Sequence, residues 1–181
     1  ATDQGIFAFS RSPEPCVASA TALCLNGGRF RVEVTWLTFD GRGGQGQALP
    51  LTPDTGSFWF RTPSDVELAI KVLDGPEPGS FWVFGGSLTD VGYAISVTDT
   101  VTGQGRGYHH AQGQPMSSFA DTSAFPAGAA AQGKLETREV EDLVSAPEVE
   151  TGAAYLGSTA PCDSGPTTLC LSGGRFRVEV A

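Results

Sequence analysis

One segment of this chain is written twice. Residues 16–34 read CVASATALCLNGGRFRVEV and residues 162–180 read CDSGPTTLCLSGGRFRVEV, with 13 of 19 aligned positions identical, including the unbroken run GGRFRVEV. The copies start 146 residues apart, at Cys16 and Cys162. A solenoid unit usually spans about 20–50 residues, so this offset is that of a whole domain plus a linker. The repeated segment dictates β structure. Phe30, Val32, Val34 and Trp36 alternate with Arg31, Glu33 and Thr35, which places apolar residues on one face and polar ones on the other. Gly27 and Gly28 mark the turn that enters this strand.

The duplication raises a packing problem. A fold offers one place whose neighbours suit Phe30, Val32 and Val34, and one domain cannot hold both copies in it. Residues 169–180 are therefore expected as an assembly strand, with Leu169, Leu171, Phe176, Val178 and Val180 as its apolar residues. Either the copy opens the next of several tandem domains, or it completes the sheet of another molecule by strand donation. A disordered terminal remnant is the third reading. A head-to-tail contact that does not close into a ring builds a filament.

Further strands follow at short intervals. QALPLT (47–52) is a weak one and GSFWFR (56–61) is rich in aromatics. In DVELAIKVLD (65–74), Val66, Leu68, Ile70 and Val72 face one way and Glu67 and Lys71 the other. SFWVFGG (80–86) is apolar enough for burial on both faces. VGYAISVTD (91–99) puts Val91, Tyr93, Ile95 and Val97 on one face, and RGYHH (106–110) returns beside it. GIFAFS (5–10) is a further candidate. Asp-Gly at 40–41 and 74–75 and Pro-Asp at 53–54 supply turns. Six to eight short strands in about 110 residues indicate an all-β fold, an antiparallel immunoglobulin-like β-sandwich, with a small barrel as the alternative.

The expected organisation has an N-terminal arm or edge strand (1–15), the sandwich (16–125), a linker (126–161) and the partial repeat (162–181). The linker is rich in Ala, Gly, Pro, Ser and Glu, and its one helical candidate is KLETREVEDLV (134–144). Fully extended, its 36 residues reach on the order of 100 Å, so this extended arm can carry the duplicated strand onto another molecule.

Four cysteines fall into two pairs of equal spacing, Cys16/Cys24 and Cys162/Cys170. Zinc sites favour tighter spacing, so two local disulfides and an oxidising compartment are expected; four free buried thiols are the alternative. The small residue at position 1 fits a mature end left by signal peptidase. These features point to a secreted protein. A net charge of -9 disfavours nucleic acid and anionic lipid as partners, and no apolar run has the roughly 18 residues of a membrane span.

The ordered set LCLNGGRFRVEVTW (23–36), DTGSFWF (54–60), DVELAIKVLDG (65–75), GSFWVFGGSLTDVGYAISVTDTVTG (79–103) and DTSAF (121–125) resembles a β-domain found, often repeatedly, in large secreted bacterial proteins. That resemblance covers about residues 16–125. It implies an extracellular module at a bacterial cell surface, one of several in a chain, with no catalytic residues to carry over. The family pattern has a Cys just after VLDG where this chain has Pro76, which leaves Cys16 to pair with Cys24.

Little chemistry is on offer. His109 and His110 are adjacent on a strand, so their side chains point to opposite faces and are expected exposed or partly packed. No GxSxG, P-loop, HExxH or CxxC occurs. Asp54, Asp74, Asp90, Asp99 and Asp121 sit at expected turns, where an Asp bonds its own backbone. A structural Ca²⁺ between two such loops is the one ion the pattern admits; no cofactor is otherwise expected. Trp59 and Trp82 are candidates for stacking on sugar rings, though about half of their aromatic neighbours must point inward. The expectation is a non-enzymatic structural subunit or tandem module of an extracellular filament or adhesin stalk, whose partners are copies of itself. The alternative is a carbohydrate-binding module that contacts surface glycans.

Overall fold

The computed structural model describes residues 15–128, 135–139 and 162–179. The chain divides into two units, one up to Ala146 and one from Pro147. All regular structure among the described residues is strand. The first unit holds, in chain order, β1 (Ala22–Leu25), β2 (Phe30–Leu37), β3 (Gly43–Gln45), β4 (Gln47–Thr52), β5 (Thr55–Trp59), β6 (Leu68–Asp74), β7 (Phe81–Ser87), β8 (Gly92–Asp99), β9 (Gly105–His110), β10 (Ser118–Phe125) and β11 (Leu135–Glu139). The second holds β12 (Thr168–Leu171) and β13 (Phe176–Glu179).

Two sheets make the first unit. One runs β1-β2-β8-β9-β11, with β3 paired to the far end of β2; the other runs β10-β7-β6-β5-β4. Neighbours are antiparallel except β11, which lies parallel to β9. The alternation of apolar residues decides which faces meet. Phe30, Val32 and Val34 of β2 and Tyr93, Ile95 and Val97 of β8 turn inward from the first sheet. Leu68, Ile70 and Val72 of β6 and Phe81 and Val83 of β7 turn inward from the second. Aromatic pairs join the sheets. The Phe30 ring centroid lies 4.8 Å from Phe81 and 5.0 Å from Phe125, Trp36 stacks on Phe60 at 5.7 Å, and Tyr108 on Phe119 at 4.6 Å.

Close approach of the sheets demands a missing side chain at one point. A Cβ on Gly56 would sit 2.3 Å from Leu23 Cδ1. Gly56→Ala is therefore expected to overpack the contact and cost about 1–3 kcal/mol, read as a lower midpoint in urea unfolding; an unchanged midpoint would show that Leu23 yields freely.

Several expectations change. Residues 135–139, within the stretch read as linker and as part of a helical candidate, form strand β11; its ladder to β9 supplies order that side-chain periodicity did not signal. The rest of that candidate, and the strand proposed at 5–10, lie outside the described residues. Strand β6 starts at Leu68, and ahead of it Val66 is exposed and Glu67 buried, the reverse of the expected burial. The Glu67 amide donates to Phe58 and its carbonyl accepts from Leu88, while Arg61 stands 3.6 Å from its carboxylate. Strand β7 is buried on one face only, with Trp82 and Phe84 half-buried on the other. His110 is fully buried beneath the Tyr93 ring, 4.9 Å between centroids, rather than exposed or partly packed. Asp121 lies in strand β10 rather than at a turn; it is buried and accepts hydrogen bonds from the Tyr108 hydroxyl and the Ser123 amide.

Candidate functional site

The duplicated segment folds the same way in both units. In the first, β1 and β2 pair Ala22 with Glu33, Leu23 with Val32, Cys24 with Arg31 and Leu25 with Phe30. In the second, β12 and β13 pair Thr168 with Glu179, Leu169 with Val178, Cys170 with Arg177 and Leu171 with Phe176. The connecting turns match residue for residue. Asn26, Gly27 and Gly28 have φ of 51°, 65° and 87°, and Ser172, Gly173 and Gly174 have 51°, 67° and 86°. Three successive left-handed residues favour the two glycines and tolerate Asn. The expectation of a single assembly strand over 169–180 is thus corrected to a hairpin that turns at 172–175. The signal was present in Gly173-Gly174, the counterpart of the Gly27-Gly28 turn. Val180 lies outside the described residues.

Disulfides Cys16–Cys24 and Cys162–Cys170 form as the spacing indicated. Cys24 and Cys170 alternate with the leucines, so each bridge lies on the polar side of its hairpin and leaves the apolar side clear. Closing such a short loop restrains the unfolded hairpin, which favours a pre-shaped element.

The two apolar sides differ completely in environment. Leu23, Leu25, Phe30 and Val32 are 0–2% exposed, whereas Leu169, Leu171, Phe176 and Val178 are 61%, 49%, 54% and 43% exposed. Four large apolar side chains thus stand exposed on one face of a two-stranded sheet. A hairpin of this size is marginal alone.

The first copy has a second device. The Arg29 guanidinium donates from Nε to Asp99 Oδ1 at 3.0 Å and from Nη2 to Asp99 Oδ2 at 2.7 Å, and lies 4.1 Å from the Phe81 ring centroid. The Thr100 amide and hydroxyl both donate to the Arg29 carbonyl. These bonds fasten the β8–β9 turn to the entry of β2. Burial alone would raise the Asp99 pKa. Hydrogen bonds from Arg29, the Val101 amide and the Thr102 hydroxyl, with the Arg29 charge, outweigh it and hold the carboxyl below its ordinary value. Arg175 is the counterpart of Arg29. It lies over its own neighbour Phe176, and among the described residues it has no carboxylate partner. The sequence reading missed both arginines, because an ion pair between residues 70 positions apart leaves no local pattern.

The sugar-stacking candidates are not assembled. Trp59 and Trp82 both alternate onto the outer face of the β4–β7 and β10 sheet, half-buried. The β5–β6 and β6–β7 registers place Trp82 level with Leu73 and Trp59 about six residues away along β6, roughly 20 Å. Trp82 packs instead against Phe84. Two depressions of about 210 and 300 Å³ lie among residues of β2, β8 and β9, at or below the roughly 300–1,000 Å³ of ligand pockets. Among the described residues no group of three His, Cys, Asp or Glu side chains is placed to hold a metal, and no helix is long and apolar enough to cross a membrane.

No family model, curated protein or solved structure matches this chain.

Proposed function

We propose that this chain is a structural, non-enzymatic module of a linear extracellular assembly, and that its C-terminal hairpin makes the head-to-tail connection. The observation that carries this reading is the exposed apolar face of Leu169, Leu171, Phe176 and Val178 on a hairpin whose twin is a core element. The disulfides fit an oxidising compartment, and the motif resemblance to repeated domains of secreted bacterial proteins points to the same setting. The sandwich is immunoglobulin-like in its layering. Its connections are its own: β4 to β7 run as four consecutive neighbours, where the immunoglobulin constant domain divides its strands as ABED and CFG.

Two arrangements deliver such an assembly, and burial separates them. The place that suits this hairpin is filled by β1 and β2 in the first unit. Donation into a complete sandwich would expel an equivalent hairpin and gain no net burial. A sandwich body without its own first hairpin is the favourable acceptor, which is what the next domain of a tandem series offers. The separation of Trp59 from Trp82 weighs against the carbohydrate-binding alternative.

Electron microscopy of the chain carrying further copies of residues 36–181 at its C-terminus, with and without the hairpin 162–179 at the junction, tests the proposal. Linear particles should shorten to the first unit when the hairpin is removed, while circular dichroism shows that unit still folded. Particles of unchanged length would defeat it.

A further inference from the structure

We infer that hairpin 162–179 is built to seat on a body of the same kind as residues 38–125, with Arg175 received by a carboxylate at the place of Asp99. This names the partner of the surface proposed above and rests on that reading. The first copy shows what covers such a hairpin. Its apolar side meets Phe81 and Phe125, Leu23 occupies the gap left at Gly56, and its open edge pairs with β8 from Phe30↔Asp99 to Leu37↔Gly92.

The differences between the copies are as informative as the identities. Six positions change: Val17 to Asp163, Ala18 to Ser164, Ser19 to Gly165, Ala20 to Pro166, Ala22 to Thr168 and Asn26 to Ser172. The first four are exposed in the first copy. Asn26 is at the turn, and only Ala22 is a core position. Leu23, Leu25, Arg29, Phe30 and Val32, which touch the rest of the sandwich, all return unchanged.

Arg29 makes the case sharper. Arg31–Glu33 and Arg177–Glu179 are ion pairs internal to each hairpin, so their repetition serves the hairpin itself. The Arg29 guanidinium instead bonds a carboxylate on β8 and covers a ring on β7. A hairpin with no sandwich to join has no use for that cation. Its return at Arg175 therefore selects a partner with an acid at the end of a β8-like strand and an aromatic ring beneath. A generic apolar surface would satisfy the leucines and leave the guanidinium without its acid.

The test extends the full chain at its C-terminus with a second copy of residues 36–146, Ala181 taking the place of Thr35. Amide hydrogen exchange at 168–171 and 176–179 should slow on the order of 10³-fold or more relative to the unextended chain, approaching residues 22–25 and 30–33. Arg175→Ala in the extended chain should lower the second melting transition by as much as Arg29→Ala lowers the first. A control extension of residues 16–146 carries its own hairpin and reports whether the added body folds. If the control folds and 168–179 in the test chain still exchange as fast as without extension, the seating is overturned. An unaltered second transition in Arg175→Ala overturns the role of the arginine. Native material without linear particles would sink the assembly reading and leave the seating intact, so the two failures are distinguishable.

Discussion

Phe30→Ala should cost the first unit about 3–5 kcal/mol, while Phe176→Ala, the same change in the same octapeptide, should leave that unit's stability unchanged to within about 0.5 kcal/mol. Phe30 is fully enclosed, and its removal strips ring contacts with Phe81 and Phe125 and leaves a cavity. Phe176 is 54% exposed, so shortening it opens no cavity. Urea unfolding followed by tryptophan fluorescence reads both variants, since Trp36, Trp59 and Trp82 all lie in the first unit. Equal destabilisation by the two changes would mean that the second hairpin is already buried in solution, and the account of an open face would fall. In an assembled or extended form the prediction reverses: Phe176→Ala should then become as costly as Phe30→Ala.

The second large effect concerns Asp99. Asp99→Asn removes the charge that Arg29 grips and should cost about 2–3 kcal/mol at neutral pH, at or below the low end for a broken buried pair because Arg29 keeps partial access to water. The sign of the pH dependence follows from the lowered pKa. The unfolded carboxyl titrates near 3.9. Above that value both states are ionised and the full contribution is present. As pH falls below it the unfolded state takes up the proton first, so stability declines until the folded pKa is passed. Urea midpoints at pH 7, 4 and 3 should therefore drop more steeply for the natural protein than for Asp99→Asn. Parallel curves would show that another carboxylate governs the acid limb.

Much of the architecture was legible because the strands that build the core obey a period of two. Phe30/Val32/Val34 and Tyr93/Ile95/Val97 alternate cleanly, and each series lands inside. Legibility ended where local pairing, rather than side-chain pattern, decided placement. Glu67 is buried although it is charged and precedes β6, with Arg61 3.6 Å from its carboxylate. β11 is a strand because β9 offers a ladder, although Leu135, Thr137 and Glu139 carry little apolar signal. Asp121 was read as a turn residue from its type, whereas the Tyr108 hydroxyl makes it a satisfied interior group. The duplicated segment was visible as an echo and its apolar residues were identified. Its disulfide was legible from the cysteine spacing, whereas its hairpin pairing, and the contacts of Arg29 that give its counterpart Arg175 a meaning, needed the structure.

The flanks of the first unit bear on how such molecules behave when crowded together. In β4, the Ala48 amide donates away from β5 to Ala20, so the nitrogen of Pro50, two residues on, faces the same outward way and has no hydrogen to offer a stranger. The Asn26 amide reaches Pro53 and ties the same flank shut. β11 occupies the rim of β9, and β10 is kinked by a register shift between Asp121 and Phe125. Molecules crowded side by side thus meet, along these flanks of the first unit, a proline and a kinked strand, both of which template a foreign strand poorly.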